Sequence, residues 1–322
     1  MSETENKVLI RVENLCKFFK VPSGTNHAVD GVSLTINRGE TLGVVGESGC
    51  GKSTLGRTII RLQDPTSGKV YLDGKDITEV KGAELAKARE KMQIIFQDPY
   101  SSLNPRYRVE TTILEPLRHS KRFPDKQSLH EEADRLMDLV GIDERLRQAF
   151  PHELDGGRRQ RVGIARSLAL NPDFIVCDEP VSALDVSIQA QVLNLLMDLQ
   201  DRIGMAYMFV THDLSVVRHI SDHICVMYLG QLVEKCTTDE LFENSLHPYT
   251  KALLSAIPSI DIYHPMQRVK LMGEIQSAIN PGPGCRFAPR CPYATPACKE
   301  RQSLEEVSPN HFVSCCRLRE IG

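Results

Sequence analysis

Alternating apolar and polar side chains near the start of the chain predict strands. Residues 8–13 alternate as an edge strand would, and residues 28–37 alternate again before a turn at 38–40. A continuous apolar run, Thr41–Val45, follows and ends at Gly46. Such a run, bounded by turn signals, is typical of a buried strand. The first part of the chain therefore combines alternating strands with a buried one.

Helical spacing of apolar residues follows this buried strand. Leu55, Ile59 and Leu62 share one face and predict a helix over 52–62. Similar patterns predict helices over 84–91 and 128–141, the second with Leu136, Leu139 and Val140 on one face, and the charged stretch 119–126 is expected to be an exposed connection.

Strand and helix signals then alternate once more. Residues 174–177 and 207–210 predict buried strands, and between them 188–203 predicts an amphipathic helix. This order indicates a mixed α/β fold with a parallel sheet and a helical insertion. After about residue 241 the chain becomes rich in Pro, Gly and Cys, which predicts a C-terminal extension with little regular structure.

Composition limits the classes of function. The 322 residues carry a net charge of −3, which gives no general attraction to nucleic acid or anionic lipid, and no run of 18 apolar residues is present to span a bilayer. The first seven residues are polar and acidic, unlike a secretory signal, so a cytoplasmic location is expected. In that compartment the ten cysteines are expected to be thiols or metal ligands.

The segment 46–53, Gly-Glu-Ser-Gly-Cys-Gly-Lys-Ser, fits the pattern of a phosphate-binding loop. Glycines let backbone N–H groups converge on phosphate oxygens, and the N-terminus of the following helix adds a favourable dipole. Lys52 supplies a positive charge, and the Ser53 hydroxyl is suited to Mg²⁺. The strand, loop and helix order makes a merely structural glycine turn the weaker interpretation.

An acidic pair follows the strand at 174–177. We expect Asp178 to hold Mg²⁺, directly or through water, and Glu179 to polarise the attacking water. His212 follows the next apolar strand, and parallel strands end at the same sheet edge, so it is expected near Glu179. Without the phosphate loop, each of these residues would be an ordinary turn or surface residue.

Together these motifs resemble the ATP-binding subunit of an ABC transporter over nearly the whole chain. The resemblance identifies segment 46–53 as Walker A, Gln97 as the Q-loop glutamine, 154–160 as the signature motif and 182–185 as the D-loop. It makes Asp178 the Walker B aspartate, Glu179 the catalytic glutamate and His212 the switch histidine. The nucleotide-binding residues that it implies are Phe19, which would stack on adenine, Gly46, Ser48, Gly49, Gly51, Lys52, Ser53, Thr54, Asp155, Gly156 and Gly157. For Mg²⁺ it implies Ser53, Gln97 and Asp178.

This resemblance implies a P-loop NTPase fold with a RecA-like core, an antiparallel β subdomain and a helical subdomain at about 98–170. The nucleotide-binding domain would span 1–245 and the C-terminal extension 246–322. Two such cassettes would face head to tail and enclose two ATP molecules, each between one subunit's Walker A and the other's signature. Catalysis would then consist mostly of positioning and charge stabilisation.

The signature departs from the family pattern, Leu-Ser-Gly-Gly-Gln, because Asp155 replaces the serine and Arg158 the glutamine. An aspartate would bring negative charge toward the γ-phosphate. It also suits the N-cap of a helix that starts at Gly156. We expect Arg158 to offset the charge and leave the glycine N–H groups to bind phosphate. If the partner is a different subunit with a conventional signature, the two sites of the dimer would be unequal, with this chain's own Walker A in the better one.

Segments 97–106, 247–254 and 284–292 resemble the dipeptide and oligopeptide importer branch, which includes nickel importers, and its second, F-type cassette in particular. The branch implies a D-type partner cassette, two membrane subunits and an extracytoplasmic binding protein, with this chain at the cytoplasmic face of the membrane. His247 is expected to pack or cap a helix rather than bind metal.

Four cysteines of the extension have unusual spacing: Cys285, Cys291, Cys298 and Cys315. They lack the paired C-x₂-C spacing of a zinc ribbon. Members of this branch with a similar pattern are thought to hold a [4Fe–4S] cluster, which the resemblance therefore suggests, with Cys315 preferred over Cys316. Buried free thiols and zinc stay open.

Two other classes share these motifs. A soluble ABC ATPase acting on nucleic acid or ribosomes usually carries tandem cassettes or long coiled-coil insertions, neither of which this sequence shows. A non-catalytic regulatory cassette is suggested only by Asp155, and Glu179 and His212 argue against it. An importer motor is the leading interpretation. The transported substrate is not encoded in this chain.

Overall fold

The computed structural model describes residues 7–120, 122–257 and 276–321. The acidic start at 1–6, residue 121 of the predicted connection, and positions 258–275 and 322 of the predicted extension lie outside the described residues. The strands are β1 (Val8–Val21), β2 (Gly24–Asn37), β3 (Thr41–Val45), β4 (Ser67–Leu72), β5 (Lys75–Asp76), β6 (Met92–Ile95), β7 (Phe174–Asp178), β8 (Ala206–Thr211), β9 (His223–Tyr228), β10 (Gln231–Thr237), β11 (Glu305–Ser308) and β12 (His311–Val313).

Helices alternate with these strands through most of the chain. They are α1 (Lys52–Ile59), α2 (Gly82–Lys91), α3 (Pro99–Ser102), α4 (Val109–Ser120), α5 (Lys126–Leu139), α6 (Gly156–Leu168), α7 (Val186–Ile203), α8 (Leu214–Ile220), α9 (Thr238–Asn244), α10 (Pro248–Ser255) and α11 (Leu318–Ile321). Within the described ranges, no helix combines the length and the apolar character needed to cross a membrane.

The described residues divide into two compact units. The first unit contains residues 7–9, 37–40 and 79–208. Its strands β6 and β7 are parallel, in register from Met92 opposite Phe174 to Ile95 opposite Cys177. Helices α4, α5 and α6 pack against one another and bury apolar faces that include Ile113, Leu136 and Ile164. These helices form the insertion that the sequence predicts.

The second unit contains residues 10–36, 41–78 and 209–321. Its phosphate-loop strand β3 is parallel to β9, and the chain then continues antiparallel from β9 to β10, from β10 to β12 and from β12 to β11. Strands β2, β1, β4 and β5 follow one another in a separate four-stranded sheet. Because β1 lies between β2 and β4, the prediction of an edge strand at 8–13 is wrong.

The predicted helices and the predicted connection differ from the structure at their ends. Helix α1 ends at Ile59, and Arg61 adopts a left-handed φ of 58°, which stops the helical path and leaves Leu62 47% exposed. The predicted connection at 119–126 is shorter, because His119 and Ser120 belong to α4 and Lys126 begins α5. The sequence pattern missed α4, whose course includes Pro116.

The C-terminal part of the chain has more regular structure than its composition predicts. Helix α10 is followed, after the residues that are not described, by β11 and β12. Glu234 and Lys235 of β10 pair with Val313 and Phe312 of β12. A three-residue strand such as β12 depends on a partner strand far away in sequence, so local periodicity does not show it.

Candidate functional site

The phosphate loop depends on glycine at two positions. Gly46 has φ of 155° and Gly51 has φ of 107°. A Cβ atom would lie 2.1 Å from the Met227 carbonyl oxygen at Gly46 and 1.9 Å from the Ala28 carbonyl oxygen at Gly51. Neither distance is compatible with a side chain. The loop therefore passes close to neighbouring backbone on two sides, which only glycine allows.

Lys52 is folded back across the loop that precedes it. Its Nζ atom donates to the carbonyl oxygens of Gly46 at 2.8 Å and Glu47 at 3.0 Å, and the side chain is buried. The ammonium group thus restrains Gly46 and Glu47 at the start of the loop and places a positive charge next to them. Ser53 and Thr54 lie in the first turn of α1, beside the helix N-terminus that Gly51 caps. These groups suit a phosphate.

Residues much later in the chain support the same loop. The N–H of Glu47 donates to the Tyr249 hydroxyl at 2.9 Å, and the N–H of Gly230 donates to the Cys50 carbonyl at 2.8 Å. The carboxylate of Glu47 accepts two hydrogen bonds from Arg290. The sequence alone gives no function to Tyr249 or Arg290. Nothing in their spacing marks them, because each acts on a residue more than 200 positions away.

The remaining candidates of the second unit are His212 and Phe19. His212 directly follows β8 and is exposed, and the next residue, Asp213, caps α8 by accepting from the N–H of Ser215 at 2.8 Å. Phe19 lies on β1, with Lys17 Nζ 5.0 Å from its ring centroid. Its proposed contact with adenine stays a prediction.

In the first unit, the structure brings Gln97 and Glu179 together. Gln97 Nε2 donates to Glu179 Oε2 at 2.9 Å. Asp178 ends β7 and is buried, and Glu179 follows with a left-handed φ of 49°, unusual for a residue with a side chain. Ser182 Oγ donates to the Glu179 carbonyl at 3.1 Å. The turn after β7 therefore holds the glutamate in a specific conformation, which is common for residues at functional sites.

The signature segment begins α6 with an aspartate cap, as the sequence predicts. Asp155 Oδ1 accepts from the N–H of Arg158 at 2.7 Å, and Asp155 Oδ2 lies 3.4 Å from Arg158 Nε. Gly157 faces α7 so closely that a Cβ would lie 2.6 Å from Ile188 Cγ2. The structure thus shows both the cap and the expected arginine partner. Both side chains of the ion pair are more than half exposed, so solvent screens it.

The candidate residues therefore form two sets. Those of the second unit are the loop residues Gly46, Ser48, Gly49, Gly51, Lys52, Ser53 and Thr54, together with Phe19 and His212. Those of the first unit are Gln97, Asp155, Gly156, Gly157, Asp178 and Glu179. Each set has a defined local geometry of its own.

His247 has the structural role that the sequence predicts. It caps α10 by accepting from the N–H of Tyr249 at its Nδ1 atom, 3.1 Å away. Burial lowers the pKa of His247 to about 4, although nearby Glu234 acts in the opposite direction. The ring is therefore neutral at physiological pH. Because Tyr249 also contacts the phosphate loop, this cap orders a helix that supports the loop.

The cysteines of the extension do not form a metal centre as arranged. Across the described ranges, no group of three or more His, Cys, Asp or Glu side chains is placed to hold a metal ion. Cys298 Sγ lies 3.9 Å from the Sγ of Cys316, whereas the family pattern favours Cys315 as the fourth cysteine. Cys50, inside the phosphate loop, is buried, and burial raises its pKa.

Known proteins resemble this chain in both sequence and fold. Residues 29–182 match the ABC transporter family, and residues 233–298 match the C-terminal region of oligopeptide/dipeptide transporters. The oligopeptide transport ATP-binding protein AppF of Bacillus subtilis is 46% identical, over 98% of this chain and 99% of its own length. The dipeptide transport ATP-binding protein DppF of Haemophilus influenzae is 48% identical, over 98% of each chain.

Among solved structures, a dimer of the ATP-binding cassette MJ0796 bound to ADP and phosphate has a TM-score of 0.66 and 31% identity, over 71% of this chain and 99% of its own. The fold and the phosphate loop thus define an ATP-binding cassette, and the predicted fold class is confirmed. More particularly, the chain belongs to the family of ABC transporter ATP-binding proteins whose C-terminal region is of the oligopeptide/dipeptide type.

Proposed function

We propose that this chain is the ATP-binding and ATP-hydrolysing subunit that powers import of di- and oligopeptides across the cytoplasmic membrane. The observation that carries this proposal is the similarity over almost the full length to ATP-binding proteins of oligopeptide and dipeptide transport. The match in residues 233–298 supports the peptide branch specifically, since that region lies outside the ATPase motifs.

The residues have distinct roles in this proposal. The N–H groups of the loop from Gly46 to Thr54 bind the phosphates, and Lys52 balances their charge. Phe19 stacks on adenine. Ser53, Gln97 and Asp178 would hold Mg²⁺, which supplies charge neutralisation at the phosphates when bound.

Hydrolysis requires a water molecule activated beside the γ-phosphate. We assign the proton-accepting role to Glu179, because its carboxylate is oriented by Gln97 and its backbone is held in a strained turn. His212 would stabilise charge on the transferred group. Asp155, Gly156 and Gly157 would complete the site of a second cassette through the N–H groups at the start of α6.

We further propose the partners and the location. A second cassette, a D-type paralogue, would pair with this chain, and two permease subunits would anchor both at the cytoplasmic face of the membrane. An extracytoplasmic binding protein would deliver the solute. The relatives are transport ATP-binding proteins, which supports the membrane partners. Asp155 stands where the family's signature has serine, and a paralogous cassette with a conventional signature would complement it.

Glu179→Gln in the reconstituted transporter tests the proposal. The variant should bind ATP with unchanged affinity, while peptide-stimulated ATPase and peptide uptake into vesicles fall more than about 100-fold. Wild-type complex with di- and oligopeptides provides the reference. A variant that hydrolyses ATP at the wild-type rate would contradict the role of Glu179, and a wild-type complex unable to take up peptide would contradict peptide import.

Uptake assays and co-purification also test two alternative functions, transport of another solute and a soluble role on ribosomes or DNA. Uptake of nickel or another small solute, without peptide uptake, would keep the motor role and change the cargo. Co-purification with ribosomes or DNA, and not with integral membrane proteins, would reject the transport role.

The proposal of a [4Fe–4S] cluster on Cys285, Cys291, Cys298 and Cys315 rests on the family's cysteine pattern alone, and no step above depends on it. The described arrangement does not fit a metal centre. Such a cluster would act as a structural staple for the extension. Anaerobic purification with iron and sulfide analysis tests it. About four iron and four sulfide per chain would support the cluster, and a colourless, iron-free protein would reject it.

A further inference from the structure

Glu47 occupies a variable position of the phosphate loop, yet its carboxylate makes a two-bond contact with Arg290 of the C-terminal extension. Its Oε2 atom accepts from Arg290 Nη1 at 2.7 Å, and its Oε1 atom accepts from Arg290 Nη2 at 2.9 Å. The Arg290 side chain is only 7% exposed and that of Glu47 is 23% exposed. A paired, two-bond contact that is mostly shielded from water is stronger and more directional than a surface ion pair.

An aromatic cluster fixes both ends of this contact. Arg290 Nη1 also donates to the Tyr228 hydroxyl at 3.3 Å, and the Glu47 N–H donates to the Tyr249 hydroxyl. The rings of Tyr228, Tyr249 and Phe287 meet with centroids 4.7–5.4 Å apart. Glu47 is therefore anchored at its backbone and at its carboxylate by groups that restrain one another.

A second arginine supports the other side of the loop. Arg286, four residues before Arg290, donates to the Leu229 carbonyl and to the Asp30 carboxylate. Leu229 precedes Gly230, whose N–H donates to Cys50 within the loop. Residues 286–290, which include the 3₁₀ turn Ala288–Arg290, thus contact the phosphate loop directly through Arg290 and support it indirectly through the Leu229–Gly230 turn.

A carboxylate within a loop that binds phosphates is an electrostatic problem. A negative charge at Glu47 would oppose the charge of the nucleotide unless a cation compensates it. Arg290 supplies that cation and also directs the carboxylate toward itself. The same contact holds the Glu47 carbonyl, to which Lys52 donates, in its position.

We propose that Arg290 is a positioning residue for nucleotide binding: through Glu47 it sets the phosphate loop and neutralises its carboxylate, so that the C-terminal extension controls the affinity for ATP. This inference rests on the ATP site of the proposed function. Arg286 assists by supporting the Leu229–Gly230 turn. A disturbance of the extension would then reach the ATP site without any contact between the extension and the nucleotide.

A double-mutant cycle with Arg290→Gln and Glu47→Gln in the assembled transporter tests this. Arg290→Gln should raise the Kd and the KM for ATP about tenfold while kcat changes less than about twofold, because an uncompensated carboxylate then remains in the loop. Glu47→Gln in the same chain should restore most of the affinity, since it removes that charge. A purely structural role of Arg290 predicts no such rescue.

Controls separate this inference from loss of folding and from failure of the ATP site. Arg319→Gln changes an exposed arginine of the same region and should leave the Kd unchanged. Arg290→Lys keeps the charge but not the paired geometry and should give an intermediate Kd, which tests the inference even if Arg290→Gln does not fold. Equal Kd values for wild type, Arg290→Gln and Arg290→Lys would overturn the inference, as would a double variant no better than Arg290→Gln. Absence of ATP binding in the wild type would contradict the proposed function instead.

Discussion

The phosphate loop and the start of helix α6 are both expected to contact phosphate, but they are stabilised in opposite ways. Glu47 in the loop is held by Tyr249 and Arg290, which lie more than 200 residues later in the chain. Asp155 at the start of α6 is held by Arg158, three residues away. The loop is partly shielded from water, whereas the Asp155–Arg158 pair is exposed.

This difference separates two kinds of preorganisation. The conformation of the loop depends on the whole second unit, including the C-terminal extension, so substitutions at distant positions should alter it. The start of α6 depends mainly on its own cap and on Gly157, which allows close packing against α7. Its geometry should survive changes elsewhere.

Substitution of a loop glycine should have the largest effect on stability. Gly51→Ala places a Cβ against the Ala28 carbonyl and forces alanine into a positive φ, so we expect a loss of about 4 kcal/mol or more in unfolding free energy. Gly74→Ala is the matched control, because Gly74 has a positive φ of 76° but open space around its Cβ position. That control should lose about 1 kcal/mol. Denaturant unfolding measures both, and equal losses would contradict the close approach.

Acidification should weaken the helix that carries Tyr249. Because the pKa of His247 is about 4 in the folded chain and about 6.5 when unfolded, the unfolded state binds more protons between these values. The contribution of neutral His247 to the unfolding free energy is therefore fully present above pH 6.5, and about 3 kcal/mol of it is lost as the pH approaches 4. His247→Asn keeps an acceptor for the Tyr249 N–H without titrating, and should flatten this part of the pH profile.

His311 titrates in the opposite sense, because its hydrogen bond to the Glu234 carboxylate raises its pKa. Its contribution is present below pH 6.5 and is lost as the pH rises through the raised value. The effect of His247 is thus measured as the difference between wild type and His247→Asn in the slope of unfolding free energy against pH. Identical slopes for the two would contradict the buried neutral ring.

Removal of one hydroxyl should show how far the loop depends on the later part of the chain. Tyr249→Phe leaves the ring cluster intact but removes the acceptor for the Glu47 N–H, which should cost about 2 kcal/mol of unfolding free energy and weaken ATP binding. Tyr293→Phe changes an exposed tyrosine and should have no effect on either quantity. Calorimetric ATP titration of both variants makes the comparison. Unchanged binding in Tyr249→Phe would argue against long-range support.

Local support at α6 should give the smallest change in stability. Asp155→Ala removes the cap and should lower the unfolding free energy by about 1 kcal/mol, whereas Asp155→Ser retains a capping oxygen and should be nearly neutral. ATPase assays of the assembled complex should show a faster rate for Asp155→Ser, because the negative charge is removed. An unchanged rate would exclude Asp155 as the limit on turnover.

The sequence predicts local features of this molecule well and distant contacts poorly. The buried strands, the phosphate loop and the Asp155 cap follow from short-range patterns, and the structure contains all three. The position of β1 between two strands, the β12–β10 pairing and the Arg290–Glu47 contact do not follow from such patterns, because each joins segments far apart in the chain. The assigned roles of Gln97, Glu179 and His212 in catalysis stay predictions.

The Arg290–Glu47 contact also constrains the order in which the protein can mature. The ribosome adds Arg290 to the chain 243 residues after Glu47. Through most of translation, a nascent chain therefore has a phosphate loop without the Arg290 contact. Folding during synthesis proceeds from the N-terminus. A chain that stops before residue 290 would contain every ATPase motif and still lack the Arg290–Glu47 contact that supports the loop. Full affinity for ATP would thus be acquired late, which ties nucleotide binding to completion of the extension.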